Sequence, residues 1–330
     1  MNVAQTNSGT PGQTIVIDRR DKGGFFRKLG STLLIFSLIM NFVLISKNAK
    51  IGVGSLDETY VAGSILAGES KIAIVEVKGA IFDGVVDHAI KQVRQARDDK
   101  NVKAIVIRVD SPGGTVAGSD QIFREIEILK EKTKKPVVVS MGNLAASGGY
   151  YISAPADHVF AEPTSWTGSI GVIMELPQIE KLLKTYGVDF TTIATGEWKD
   201  SGSPFRAMTE QEKRRWRGIV DVAYQRFVRI VAQGRKIPLK QVYDLADGKV
   251  YTADEAKELK LVDEIGYLED AIDKAKTLAK MTTYRVVRYS KEFDLESLLL
   301  GASTRKKSTS AEVEDVLTKL RTPVMMYMMR

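Results

Sequence analysis

Cysteine is absent from this chain, and histidine occurs twice, at His88 and His158. The first absence excludes thiol nucleophiles, disulfide scaffolds and thiolate-bound zinc. The second leaves little with which to build a histidine metal site. No His/Asp/Glu cluster stands at ligand spacing, so neither a metal nor a cofactor is expected. The phosphate-cradling pattern G-x-x-x-x-G-K-[ST] is missing, and no repeat of fixed period runs through the sequence. A basic core is missing too, although the formal net charge is +7. Arg19, Arg20, Lys22, Arg27 and Lys28 outnumber Asp18 and Asp21 at one end. Arg305, Lys306, Lys307, Lys319, Arg321 and Arg330 outnumber Glu312, Glu314 and Asp315 at the other. Between these ends the charges nearly cancel, so no nucleic-acid surface is expected.

The N-terminal half does contain one long uncharged run, LGSTLLIFSLIMNFVLIS over 29–46. It is at the short end of the ~17–25 residues that span a bilayer. Five basic residues precede it, while only Lys47 and Lys50 follow closely. The positive-inside rule then predicts a cytoplasmic tail (1–28), a single-pass anchor (29–46) and an extracytoplasmic remainder. A cleaved signal peptide is the rival reading. The long apolar run and the lack of an A-x-A site before the Gly/Ser/Ala linker (47–69) favour an uncleaved anchor in the cell membrane.

From 70 to 290 the pattern alternates strands and helices. Lys71–Val77, Val102–Val109, the run from Val137 and Val159–Ala161 read as strands. The segments 85–100, 119–132, 178–186 and 210–235 read as helices, as do 250–261 and 267–280, with a strand at 190–194. Such alternation predicts an α/β domain with a parallel sheet and right-handed crossovers.

The stretch Asn143-Leu144-Ala145-Ala146-Ser147-Gly148-Gly149-Tyr150-Tyr151 follows the Val137 strand. A serine among small residues at a strand-to-helix junction is how a nucleophile is presented to a backbone. His88 lies on a helix and His158 at a strand start, and both read as structural. A nucleophilic Ser147 would therefore take a lysine as its base, a known variant of the catalytic triad. Lys199, in Thr195-Gly196-Glu197-Trp198-Lys199-Asp200, is the best-placed lysine. Its amine would have to be neutral, and Ser169 is a candidate hydroxyl to hold it so. On composition alone Lys199 reads rather as a solvated loop charge beside Asp200, one of 48 Lys and Arg in the chain. Ser111-Pro112-Gly113-Gly114 reads evenly as an oxyanion donor or as a Pro-Gly turn.

Four blocks occur in order: Asp110–Gly114, Ala145–Tyr151, Thr167–Gly171 and Gly196–Lys199. Together they closely resemble the signal peptide peptidase A family of membrane-anchored Ser–Lys proteases, over about 70–290. The resemblance implies a fold similar to Clp protease and the crotonases. It implies Ser147 as nucleophile, Lys199 as general base and Ser169 as the lysine-orienting hydroxyl, with Gly114 and Gly148 as oxyanion donors. One serine block and one lysine block match the short, single-domain form. That form implies a ring-like homo-oligomer with catalytic groups contributed by neighbouring subunits. Implied substrates are remnant signal peptides in the membrane, with small residues at the cleaved bond. A crotonase-like acyl-CoA enzyme and a non-catalytic membrane scaffold are the competing expectations. In the tail (291–330), Glu312–Leu320 has helical spacing, and Pro323–Met329 is apolar enough to dock as a strand in a peptide groove and restrain activity, with membrane contact through Lys306 and Lys307 or a frayed end as the alternatives.

Overall fold

The computed structural model describes residues 23–48, 56–64, 70–290 and 324–329. Two units are separate in it, 1–54 and 55–330. The first contains helix α1 (Gly23–Asn48), 26 residues and so about 39 Å long. Its side chains are described over 29–41 and are exposed, Leu33, Leu34, Phe36 and Leu38 among them. Among the described residues no helix is long and apolar enough to cross a membrane. The N-terminal segment 1–22 and the helical spacing at Glu312–Leu320 lie outside the described residues.

The second unit is built on strands β1 (Asp57–Gly63), β2 (Lys71–Lys78), β3 (Val102–Ser111), β5 (Val137–Ala146), β6 (His158–Ala161), β10 (Glu264–Ile265) and β11 (Arg285–Ser290). Their order is β1-β11-β2-β3-β5-β6-β10, parallel throughout except for antiparallel β1. A side branch continues from β5 to β7 (Trp166–Gly168), in parallel, and on to β9 (Val250–Thr252).

Sequence period explains the two faces. Ala73, Val75, Val77, Ile105, Ile107, Val109, Val137, Val139 and Met141 point into one core. There they meet α2 (Asp83–Asp98), α3 (Val116–Thr133), α4 (Gly148–Ser153) and α6 (Glu210–Arg235). The intervening Ile72, Ile74, Ala104, Val106 and Val138 face a second core with Ala271, Ile272 and Ala275 of α9 (Leu268–Leu278). Side chains alternate across a strand, and helices on both faces make each strand apolar throughout.

A second, three-stranded antiparallel sheet lies apart from this one. It consists of β4 (Gly113–Thr115), β12 (Met325–Met328) and β8 (Ile173–Met174), in that order. The remaining helices are α5 (Glu180–Thr185), α7 (Leu239–Leu245) and α8 (Ala253–Glu258).

Several expectations need correction. The linker at 47–69 contains β1, which Lys71 ties to the body through Glu58 (2.8 Å), with Asp99 at 2.9 Å on its other side. Gly113-Gly114 is strand, because the tail supplies a partner. The helix expected over 250–261 splits into β9 and α8, since Thr252 caps α8 and forms a capping box with Glu255. No strand forms at 190–194, where Ile193 is 96 % exposed and no neighbouring edge is paired to it.

Candidate active site

Ser147 stands where β5 ends and α4 begins, with φ +53° and ψ −113°. A non-glycine residue at positive φ is strained, and surrounding structure must hold it there. Its N–H donates to the Gly168 carbonyl (2.7 Å), and its carbonyl accepts from the Tyr151 N–H (2.8 Å). Pairing of Ala146 with Gly168 braces the same turn. Small residues are required around it. A Cβ on Gly148 would stand 2.4 Å from the Ser119 hydroxyl, and one on Gly149 would stand 2.9 Å from the Ser111 carbonyl. Below the turn, Tyr150 and Tyr151 are fully buried; their hydroxyls donate to the Leu261 carbonyl (2.9 Å) and to Asp120 (2.6 Å). Burial pushes both phenols well above their usual range, so they stay neutral donors.

Ser169 adopts a second positive φ, +49°, beside Gly168 at +82°. Its N–H donates to the Lys249 carbonyl (2.7 Å). A Cβ on Gly168 would meet the Tyr251 ring at 2.5 Å, so this glycine has no substitute of equal fit. Ser147 and Ser169 open into the same cleft, of about 900 Å³. Ile173, Met174 and Leu176 line it, as do Trp216, Val220 and Tyr224 of α6.

Met328 and Met329 of the chain's own tail also line this cleft. Strand β12 lies antiparallel between β4 and β8, with Tyr327 opposite Gly114 and Met328 opposite Gly113. The Met329 N–H donates to the Pro112 carbonyl (2.9 Å). Tyr327 is fully buried; its ring stacks on Tyr151 (4.8 Å) and its hydroxyl donates to the Ala223 carbonyl (2.8 Å). Gly113, at φ +94°, admits this strand: a Cβ there would stand 1.9 Å from the Tyr327 carbonyl oxygen. Gly114 instead packs on Ile81, whose carbonyl oxygen would be 2.2 Å from an added Cβ.

The structure thus brings Ser147 and Ser169 to one cleft; Gly148 follows Ser147 and stands against Gly113, Gly114 packs on Ile81, and neither Gly114 nor Gly148 lines the cleft. Lys199 is exposed, in a turn closed by its N–H to the Gly196 carbonyl (3.0 Å), and it does not line the cleft either. Among the described residues no lysine or histidine does; the charged lining residues are Glu175, Arg217, Asp221 and Asp247. His158 sits at the start of β6, paired with Val138, nine residues before Ser147. That places it on the order of 25 Å away, at the other end of the strands. Burial lowers its pKa despite Asp263 and Glu264 alongside. His88 belongs to α2 and does not line the cleft either. Sequence reasoning missed the wall that α6 contributes. The spacing of Trp216, Val220, Tyr224 and Phe227 along one helix face was a legible signal for it.

Comparison with known proteins gives the context. The profile of the Clp protease family matches residues 61–166, and that of Peptidase family S49 matches 129–282. A candidate protease of Methanocaldococcus jannaschii, MJ0651, is 38 % identical over 275 residues, covering 79 % of this chain and 87 % of that protein. The chain belongs to peptidase family S49. A candidate signal peptide peptidase SppA of Enterococcus faecium is 39 % identical, covering 72 % of each chain. Protease 4 of Salmonella typhi is 37 % identical over 71 % of this chain but only 38 % of its own length. This S49 chain is therefore a serine protease with a Clp-protease-like α/β fold. Membership in S49 sets aside the acyl-CoA enzyme and the inert scaffold.

Proposed function

We propose that this S49 peptidase is a Ser–Lys endopeptidase that degrades remnant signal peptides at the membrane. The observation that carries the reading is Ser147, held at positive φ and lining a cleft that β8 and β12 also line, beside the sheet β4-β12-β8. Two strand edges suit an extended peptide that adds itself between them, as β12 does. The Ser147 hydroxyl oxygen attacks the scissile carbonyl carbon while its proton passes to the neutral amine of Lys199. The backbone N–H groups of Gly114 and Gly148 stabilise the oxyanion. The C–N bond then breaks, the lysine proton goes to the leaving amine, and water hydrolyses the acyl-enzyme. Ser169 orients the lysine.

The lysine comes from a neighbouring copy. In support, among the described residues of a single chain no lysine lines the cleft. Lys199 follows a segment whose Leu182, Tyr186, Val188, Phe190 and Ile193 are all exposed, an apolar surface that a second copy would cover. Homo-oligomerisation then completes the site. The uncharged run at 29–46 anchors the chain with its N-terminus in the cytoplasm and residues 55–330 outside. Because β12 occupies the groove, the tail competes with substrate and restrains the enzyme.

The test is hydrolysis, in mild detergent, of an apolar peptide with Ala at the cleaved bond. Ser147→Ala and Lys199→Ala should each be inactive, and mixing the two after subunit exchange should restore activity. Activity of the Ser147→Ala protein alone would sink the mechanism. A mixture that stays dead despite proven exchange would reject the shared site.

A further inference from the structure

The loop that carries Lys199 is short of packing but not of bonds. Arg206 donates from Nε and Nη2 to the two carboxylate oxygens of Asp200 (2.7 and 2.8 Å). The same guanidinium donates from Nη1 and Nη2 to Glu212 (2.9 and 2.5 Å). Glu212 is buried in the first turn of α6, where it accepts from the Thr209 N–H (2.8 Å) and hydroxyl (3.0 Å). One residue beyond Asp200, the Ser201 hydroxyl accepts from the Trp216 indole (3.0 Å).

Capping α6 needs only Thr209 and Glu212, which form the capping box between them. The Arg206 fork to Asp200 adds nothing to the cap. What it does is tether the residue next to Lys199 to the helix. That same helix, further along, supplies Val220 and Tyr224 to the cleft wall. An isolated surface ion pair contributes little, whereas a two-carboxylate fork fixes geometry. A proton-transferring group displaced by about 1 Å loses much of its effect.

We propose that Arg206 is a positioning residue, which clamps the Lys199 loop onto α6 and so sets where the amine is presented to the reacting serine. The inference rests on the reading of Lys199 as the general base. Arg206 touches no reacting atom itself.

Arg206→Lys keeps the charge and loses the fork. It should lower kcat by roughly 10- to 100-fold with KM little changed. Arg235→Lys is the control: it loosens a pair with Asp263 (2.7 Å) away from the loop, and should lower Tm while keeping kcat. The mixed-subunit assay gives a sharper readout. Arg206→Lys placed on the Ser147→Ala chain, the lysine donor, should lower the restored activity by the same roughly 10- to 100-fold. Placed on the Lys199→Ala chain, the serine donor, it should leave that activity standing. Equal loss from both placements, or an unchanged kcat in the single variant, overturns the proposal. If mixing restores nothing, the comparison of Arg206→Lys with Arg235→Lys decides alone. Full activity of Lys199→Ala would instead overturn the base assignment, a distinct outcome.

Discussion

Two serines at positive φ share one glycine. Gly168 accepts the Ser147 N–H and precedes Ser169, and its own φ of +82° leaves no room beside Tyr251. Gly168→Ala should therefore cost about 1–3 kcal/mol in denaturant unfolding and remove activity at the same time. Gly30, exposed in α1 with open space about its Cα, should accept alanine without loss. If Gly168→Ala unfolds like the native protein, the strained pair is not held as described. The serine block was legible because small residues around a hydroxyl have a local cause. Lys199 was legible only through the family resemblance, because its own surroundings read as a solvated loop.

Among the elements, α6 stands out, since it caps the lysine loop at one end and walls the cleft along its length. Its first turn is pH-sensitive in a definite direction. The Arg206 bond, outweighing burial, holds the Glu212 carboxyl at about 2, below the ordinary glutamate value of 4.5. Between those values the unfolded chain binds the extra proton, so stability rises with pH across that window and falls as acid is added. Melting temperatures followed from pH 5 to pH 2 should drop less steeply in Glu212→Gln than in the native protein. Parallel slopes would mean that the carboxylate contributes nothing to the acid limb. Bounds of α6 matched the expectation over 210–235, since Thr209 caps one end and Lys236 takes the left-handed turn at the other. The failure at 190–194 is the opposite case: a β-prone run without an edge to pair has nothing to hold it as strand.

At the scale of the whole molecule, the tail lines its own cleft through Met328 and Met329. Deleting 305–330 should raise kcat/KM for short peptides, chiefly through KM, because a competitor tethered in place is gone. Tyr327→Ala should do the same more weakly, by losing the stack on Tyr151 and the bond to Ala223. Unchanged kinetics in both would remove the restraint. A protein starting at residue 55 should fractionate away from membranes while keeping its fold; if it stays membrane-bound, the anchor lies elsewhere.

The sequence by itself determined the strand–helix alternation, the two apolar periods that face two cores, and the serine followed by two glycines. Each of these depends on neighbours within a few residues, where period, capping and turn chemistry act. Tertiary structure alone decided that Gly113–Thr115 pairs with Met326–Met328 across more than 200 residues, and that β1 joins β11. It also decided that Lys199 stands outside the cleft of its own chain. Pairings at that separation are selected by which edges are left open once the cores have closed, and no local pattern encodes that.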